Sequence, residues 1–522
     1  MSADFDIAVV GSGFAGSLIA MIAKKLGRSV VLLERGQHPR FAIGESSTPL
    51  ANLLLEELAQ RYDLPRLLPL TKWGSWQNSY PKIGCGLKRG FTFYHHQFGK
   101  LFELDPVRNN QLLVAASPNN HIADTHWYRS DFDHFLVGEV QAAGVEYIDQ
   151  VALQGIGWTG GGVRIQGERQ GVPVSVDARF LIDASGPRGF VHRALGLVEI
   201  PFEHLAATQG LFTHFTGVRR LADMDSFCGG EIPPYPVDDA AVHHVFEGGW
   251  VWVLRFNNGI TSAGVAARED LANELRFSEG ESAWQRLLTR LPSVREQFRD
   301  SRARFPFIHA SPLGFRSGAV TGRDWALLPS AAGFIDPLLS TGFPLTLLGV
   351  SRLAHAIQKH WEGERFQDRL REYSFQTVEE LRVAEQLTAA LYASMGDFPV
   401  FAGLTLLYFA AVSFTETARR LGKPELAPSF LMHDHPLFGR ELRGACQQVL
   451  EASKRQGMTR SEKAEFLDKI RDVIRPIDVA GLCERSRRNW YPAEARDLLQ
   501  SAPKFGVDAT EMKLLLSRCG FV

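Results

Sequence analysis

Cysteine is scarce and scattered. The 522 residues hold five, Cys85, Cys228, Cys446, Cys483 and Cys519, an odd number and never spaced Cys-x-x-Cys, which argues against a disulfide framework and against a thiolate zinc site. A reducing cytoplasm suits such a chain. Charge of one sign is missing too: 57 Lys and Arg face 58 Asp and Glu, a net of -1, so no long-range field gathers nucleic acid or anionic lipid. The histidine pairs His95-His96, His243-His244 and His433 with His435 lack further ligands at metal-binding spacing, and no metal is expected. Internal repeats and low-complexity tracts are absent. Asp4 and Asp6 lead straight into a strand, with no basic segment and apolar run of an export signal. One uncharged run, Phe398 to Thr415, approaches the length of a membrane span. Pro399 and Gly403 interrupt it and Thr405 and Ser413 dilute it, so a membrane is not expected and a helix buried in the core or lining an apolar pocket is. With 45% hydrophobic and 22% charged residues, the chain reads as an ordinary globular protein of two or three packed units.

What is present begins with Asp6 to Val10 as an apolar strand, Ala15 to Leu26 with helical spacing, and Ser29 to Glu34 as a second strand, a β-α-β unit. Its first turn carries Gly11-x-Gly13-x-x-Gly16, with Phe14 and Ala15 between the last two glycines. The glycines permit the turn, the approach of a pyrophosphate, and close packing of helix on strand; helix N–H groups then point at the phosphates. Glu34 stands where a carboxylate accepts hydrogen bonds from an adenosine ribose and repels the extra phosphate of NADP. The site is therefore for FAD or NAD. Residues 40 to 110, rich in Gly, Pro and aromatics, read as binding loops over the cofactor. Ala178 to Gly186 and Asp324 to Leu328 read as later strands of the same domain. Alternation in Val242-His243-His244-Val245-Phe246 and Val251-Trp252-Val253-Leu254-Arg255-Phe256 predicts an antiparallel sheet, half exposed or facing a cavity. From Phe343 onward the pattern is helical.

Arg129-Ser130-Asp131-Phe132-Asp133 and the late segment Gly333 to Gly342 decide for FAD. They resemble elements of the flavoproteins built like para-hydroxybenzoate hydroxylase, and the resemblance assigns the ribityl contact to Asp336, with a helix cap as its alternative role. Within that class the chain resembles the flavin-dependent halogenases acting on phenols and pyrroles. The resemblance rests on His38-Pro39-Arg40-Phe41-x-Ile43-Gly44-Glu45-Ser46, on Cys85 to Phe93 around an essential lysine, and on Gly333-Phe334-Ile335-Asp336-Pro337-Leu338-Leu339-Ser340-Thr341-Gly342 as a chloride segment. It implies that reduced FAD and oxygen give a flavin hydroperoxide, that halide attack on it gives hypohalous acid, and that a lysine passes this electrophile to an electron-rich ring. Lys88 is the candidate and Lys82 the runner-up. The family's Trp-x-Trp-x-Ile-Pro is here Trp250-Val251-Trp252-Val253-Leu254-Arg255; Arg255 for proline adds a backbone donor and a cation. Leu339 stands where the tryptophan-acting enzymes place a glutamate, which disfavours free tryptophan.

The expected fold is α/β: an FAD-binding Rossmann-like domain (1–200), an inserted antiparallel β-sheet forming a substrate-binding region (201–320), an FAD and halide segment (321–350) and a C-terminal helical domain (351–522). FAD-binding residues are Gly11, Gly13, Phe14, Ala15, Gly16, Glu34, Arg35, Arg40, Ile43, Ser46, Arg129 and Asp336. Thr341 and Gly342 hold chloride or bromide; Trp250, Trp252 and Phe93 face the substrate; Lys88 is catalytic. A separate NAD(P)H flavin reductase supplies FADH2, and the substrate is a small aromatic, free or on a carrier protein. A homodimer is one option for assembly. A hydroxylase using the flavin hydroperoxide directly is the second reading, and a flavin-binding subunit without catalysis the third. A histidine from one of the pairs His95-His96, His243-His244 or His433 with His435, or else Glu247, is a candidate to assist phenol deprotonation.

Overall fold

A computed structural model describes residues 4–521 except 230, 362 and 456. The opening apolar runs form β1 (Phe5–Val10), α1 (Phe14–Lys25) and β2 (Val30–Leu33), each end within one residue of expectation. β2 is buried throughout and β1 from Ile7 onward, as parallel strands covered on both faces require. β1 pairs in parallel with β2 and with Val172–Asp183. Glu146–Ile148 extends the β2 edge, and Trp325–Leu327 returns much later to lie parallel beside Leu181 to Asp183. Gly11, Ala184 and the segment after Leu327 therefore meet beyond the carboxyl ends of the strands, where open α/β sheets bind their ligands.

Residues 40 to 110 are not mainly loops. They contain α2 (Pro49–Arg61), a short helix at Trp73–Ser79, β3 (Cys85–Lys88) and β4 (Gly90–His95). α2 starts with Thr48, whose Oγ1 accepts the Ala51 N–H at 3.1 Å, and with Pro49 in its first turn. Leu50 to Leu55 are all buried, so α2 shows little polar face in its first turns and its periodicity is hard to read from sequence. Beyond β4 come β5 (Gln111–Ala115) and β6 (Asp124–Trp127); β6 pairs antiparallel with β3.

The second sheet is larger than the predicted insert. Thr208–Thr216, Thr261–Arg268, Gly249–Arg255 and Ala241–Phe246 are joined by β4 and β5 and by Trp490–Tyr491 from the helical region. It is antiparallel apart from two pairings, Ala241–Phe246 with β4 and Trp490–Tyr491 with β5. Nor is it half exposed. Phe91, Phe93, Trp250 and Trp252 enter the main core, while Tyr94, Val251 and Val253 enter a second core with Trp284 and Leu287. Period-two alternation here separates two cores rather than core from solvent.

Gly342–His360 packs against α1 and α2, and Phe398–Arg420 against α2 and Arg460–Ile474. Phe398–Arg420 is long and apolar enough to cross a membrane, yet 83% of its most apolar window is buried inside the protein. It is a core helix, as the interruptions in its sequence suggested.

Candidate active site

The glycine turn fits a dinucleotide on steric grounds. Gly11 has φ +95°, and a Cβ there would meet Ala184 O at 2.7 Å; a Cβ on Gly16 would stand 1.8 Å from Gly11 O. Only hydrogen fits at either place. Gly13, the residue preceding α1, has Arg129 Nη2 3.3 Å from where its Cβ would lie. Arg129 is buried, forked onto Asp133 at 2.7 and 2.8 Å, and donates to Ile43 O and Gly44 O at 3.2 and 2.9 Å. It thus ties the Gly44 loop to the glycine turn. Phe14, opening α1, packs on Phe343 in the first turn of Gly342–His360 at 5.0 Å, and Trp127 stacks on Phe343 at 4.4 Å. Two helix N-termini, both anion-favouring, are held side by side.

Glu34 is 7% exposed. Its Oε2 accepts Ser12 N–H and Oγ–H, both at 2.8 Å, and faces Arg40 at 3.5 Å; Oε1 accepts Gly36 N–H at 2.8 Å. Burial alone would raise this carboxyl, but Arg40 and the Ser12 and Gly36 bonds outweigh it and hold it below its ordinary value. Oε1 keeps a lone pair for a ribose hydroxyl. Arg35 is exposed beside it, and Ile43 contributes its carbonyl to Arg129 rather than its side chain.

Asp336 is held from two sides. It is 2% exposed, Oδ1 accepts Leu338 N–H at 2.9 Å and Oδ2 accepts the Tyr392 hydroxyl at 2.8 Å. The Leu338 bond is the capping role, and each oxygen keeps a second lone pair, so a ribityl contact is compatible with both bonds. Burial pushes this carboxyl up to about 6. The following turn places Leu339 and Ser340 at φ +62° and +56°, an uncommon pair for residues with side chains. It is pinned by the Tyr408 hydroxyl, which donates to Leu339 O at 2.8 Å. Thr341 and Gly342 follow at the helix start.

Lys88 has 0% exposure, whereas the runner-up Lys82 is exposed. Its Nζ donates to Ser46 Oγ at 2.8 Å and to Ser47 O, and lies 3.7 Å from the Phe91 ring centroid. Ser46 accepts this bond on its oxygen and keeps its own O–H proton to donate. Burial drives the ammonium down to about 7, with Asp124, its cross-strand partner, opposing.

Next to Phe91 lies a cavity of about 150 Å³ whose walls include Thr48, Phe91, Val114, Asp124, Tyr408 and Phe409. The Phe398–Arg420 helix supplies one wall, as its aromatic content suggested, although Phe414 stacks on Phe505 at 4.7 Å. Phe93, Trp250 and Trp252 are not among the lining residues. Phe93 is fully buried, stacked on His243 at 4.3 Å, and Trp250 lies 5.2 Å from the same ring, so these side chains back the wall instead of forming it. Arg255 also points elsewhere: it binds Asp238 at 3.3 Å, Val218 O at 3.0 Å and Arg219 O. Among the suggested proton acceptors, Glu247 is exposed, His243 is pushed down to about 3 and His244 to about 4 by burial, and His96 is bonded to His244 at 2.9 Å. Asp124 was not singled out from sequence; its neighbours Ala123 and Thr125 gave no pattern to mark it. No metal-holding group of His, Cys, Asp or Glu occurs among the described residues.

A glycine-turn crevice over a second sheet that forms its floor is the architecture of an FAD oxidoreductase. Comparison with known proteins carries this further. The Tryptophan halogenase family pattern matches residues 124–393, and an NAD(P)-binding Rossmann-like pattern matches residues 9–52. The tetracycline 7-halogenase of Kitasatospora aureofaciens is 31% identical over 74% of this chain and 67% of its own length. Monodechloroaminopyrrolnitrin halogenase PrnC of Pseudomonas fluorescens is 30% identical over 76% and 69% respectively. The crystal structure of halogenase PltM superposes with a TM-score of 0.82 at 25% identity, covering 93% of this chain and 99% of that one. The chain belongs to this family of flavin-dependent halogenases and binds FAD. The hydroxylase reading and the non-catalytic reading give way to that membership.

Proposed function

We propose that this enzyme chlorinates or brominates an electron-rich, phenolic substrate bound in the cavity beside Phe91, with Lys88 directing the halogen. Reduced FAD, oxygen and halide together supply hypohalous acid. The glycine turn, Glu34 and the Arg129-braced loop hold the cofactor, and the N–H groups at Thr341 and Gly342 hold the halide. Lys88 donates a hydrogen bond to the electrophile and presents it across Phe91 to the ring. The observation that carries this reading is a lysine with 0% exposure on an aromatic ring that itself lines the cavity. An ammonium sealed from bulk water makes strong hydrogen bonds and loses no electrophile to solvent. Tyr408 supports the link between the two sites, since it lines the cavity and also fixes the turn before Thr341.

The reading extends to a separate NAD(P)H flavin reductase as the source of FADH2, to a cytoplasmic enzyme, and to a substrate free or carrier-bound. Two relatives are named for acting on a pyrrole-2-carbonyl group on a peptidyl-carrier protein, and PltM has been crystallised with phloroglucinol and FAD. The test supplies reduced flavin, oxygen and bromide with monochlorodimedone or a simple phenol. Halogenated product from wild type, and none from Lys88→Ala with FAD still bound, is the expected result. Hydroxylated product irrespective of halide would overturn it.

A further inference from the structure

We propose that Asp124 is the catalytic base that takes the acidic O–H proton of the substrate, so that the cavity selects phenols over arenes without an ionisable hydroxyl; this rests on the halogenase reading above.

Position is the first argument. Asp124 lines the cavity together with Phe91, the ring that Lys88 covers. In the β3–β6 pair it stands directly opposite Lys88, and directly opposed side chains lie about 5 Å apart at Cβ. Asp124 thus reaches the cavity beside Phe91, and Lys88, which does not line it, lies against that ring. The second argument is an unspent oxygen. Oδ1 accepts from Asn52 Nδ2 at 2.8 Å, while buried Oδ2 has no hydrogen-bond partner among the described residues. The two hydrogen bonds of the Lys88 ammonium go to Ser46 and Ser47 and leave this oxygen unbonded. A buried acceptor left alone is unfavourable, and a phenol O–H is the donor that would relieve it. The other carboxylates on the cavity wall are already paired, Glu416 with Arg420 Nε at 2.7 Å and Glu494 with Arg487 Nη2 at 3.4 Å.

The surrounding charges suit the role. Burial raises the Asp124 carboxyl, Lys88 opposes this, Glu416 adds to it, and the Asn52 bond and Arg420 oppose it. His126 and His243 face the same strands and are held neutral by burial, and the Cys519 thiol, raised by burial, lines the cavity. A base raised toward neutrality is matched to a phenol at physiological pH.

The step balances as follows. The phenol proton passes to Asp124 Oδ2 while a ring carbon ortho or para to the oxygen forms a C–X bond with hypohalous acid and the X–O bond breaks. The departing hydroxide takes the proton held by Asp124, giving water and restoring the carboxylate. The dienone then loses the proton on its halogenated carbon and regains one on oxygen. In sum, phenol and HOX give halophenol and water.

The test compares wild type with Asp124→Asn on phenols of graded acidity, fed reduced flavin, oxygen and bromide. For a weakly acidic phenol kcat falls at least a hundredfold; for a polyfluorinated or nitro phenol already ionised at the assay pH the loss shrinks to tenfold or less. Asp124→Glu recovers part of the rate. Wild type gives an independent measurement: its rate on the weakly acidic phenol climbs with pH through the range of a raised carboxyl, a limb absent with the pre-ionised one. Equal losses across the series, or a wild-type limb common to both phenols, would overturn the role of Asp124. Wild type yielding no halogenated product from any substrate would instead remove the halogenase reading beneath it.

Discussion

Lys88→Met replaces a sealed ammonium by a neutral chain of similar length, and its two effects run in different directions. Moving the ammonium from 10.5 to about 7 corresponds to a folding penalty of about 5 kcal/mol for the charged form, at about 1.4 kcal/mol per unit. Methionine removes that penalty. It also removes two hydrogen bonds, to Ser46 Oγ and Ser47 O, worth about 1 kcal/mol each, and leaves Asp124 without its nearest cation. Asp124 answers by protonating, since burial already raises it. The terms largely offset, so the variant folds, retains FAD and melts within a few degrees of wild type by scanning fluorimetry. Product formation behaves otherwise. Loss of one positioned donor at the reacting atom costs roughly 10² to 10⁴ in rate, so halogenation followed by chromatography falls at least a hundredfold. A variant that keeps FAD and also halogenates within tenfold of wild type would refute the role given to Lys88; an unfolded one would refute the stability reasoning.

Gly16→Ala places a methyl 1.8 Å from Gly11 O, and the purified protein is expected to lose its visible flavin absorbance. Tyr392→Phe strips the donor from Asp336 Oδ2 and is expected to lower stability by about 1–3 kcal/mol in urea titrations. The Asp336 carboxyl is also a source of pH dependence. Its folded value of about 6 exceeds the ordinary 3.8, so the native state binds the extra proton between these values. Stability from this group falls as pH rises through that window, by about 3 kcal/mol, and Asp336→Asn removes that slope. Lys82→Ala, at an exposed position, leaves halogenation unchanged within twofold; a large loss there would reopen the choice between the two lysines.

The nucleotide crevice was legible because it is local: strand, glycine turn and helix follow one another, and the apolar periods of β1, α1 and β2 mark their own ends. The setting of Lys88 was not legible, since nothing in Gly86-Leu87-Lys88-Arg89 reveals that Ser46 and Ser47, far back in the chain, accept its hydrogen bonds. The partner of Asp336 was hidden for the same reason. Its second oxygen belongs to Tyr392, 56 residues on, and a carboxylate before Pro337 looks equally available to a ligand. The wall formed by Phe91 was placed instead at Phe93 and the two tryptophans. Those positions share one sheet face, and which of them borders open space depends on how Phe401 and Phe409 cover Phe93. The helices within 40–110 were hidden by burial on several sides.

The hydroxyl of Tyr408 has a consequence for anyone reshaping this enzyme's substrate range. The helix that walls the cavity also tethers, through that one phenol, the strained backbone ahead of Thr341. Enlarging the cavity by trimming Tyr408 would release that anchor as well as the space, whereas trimming Val412 leaves the bond in place.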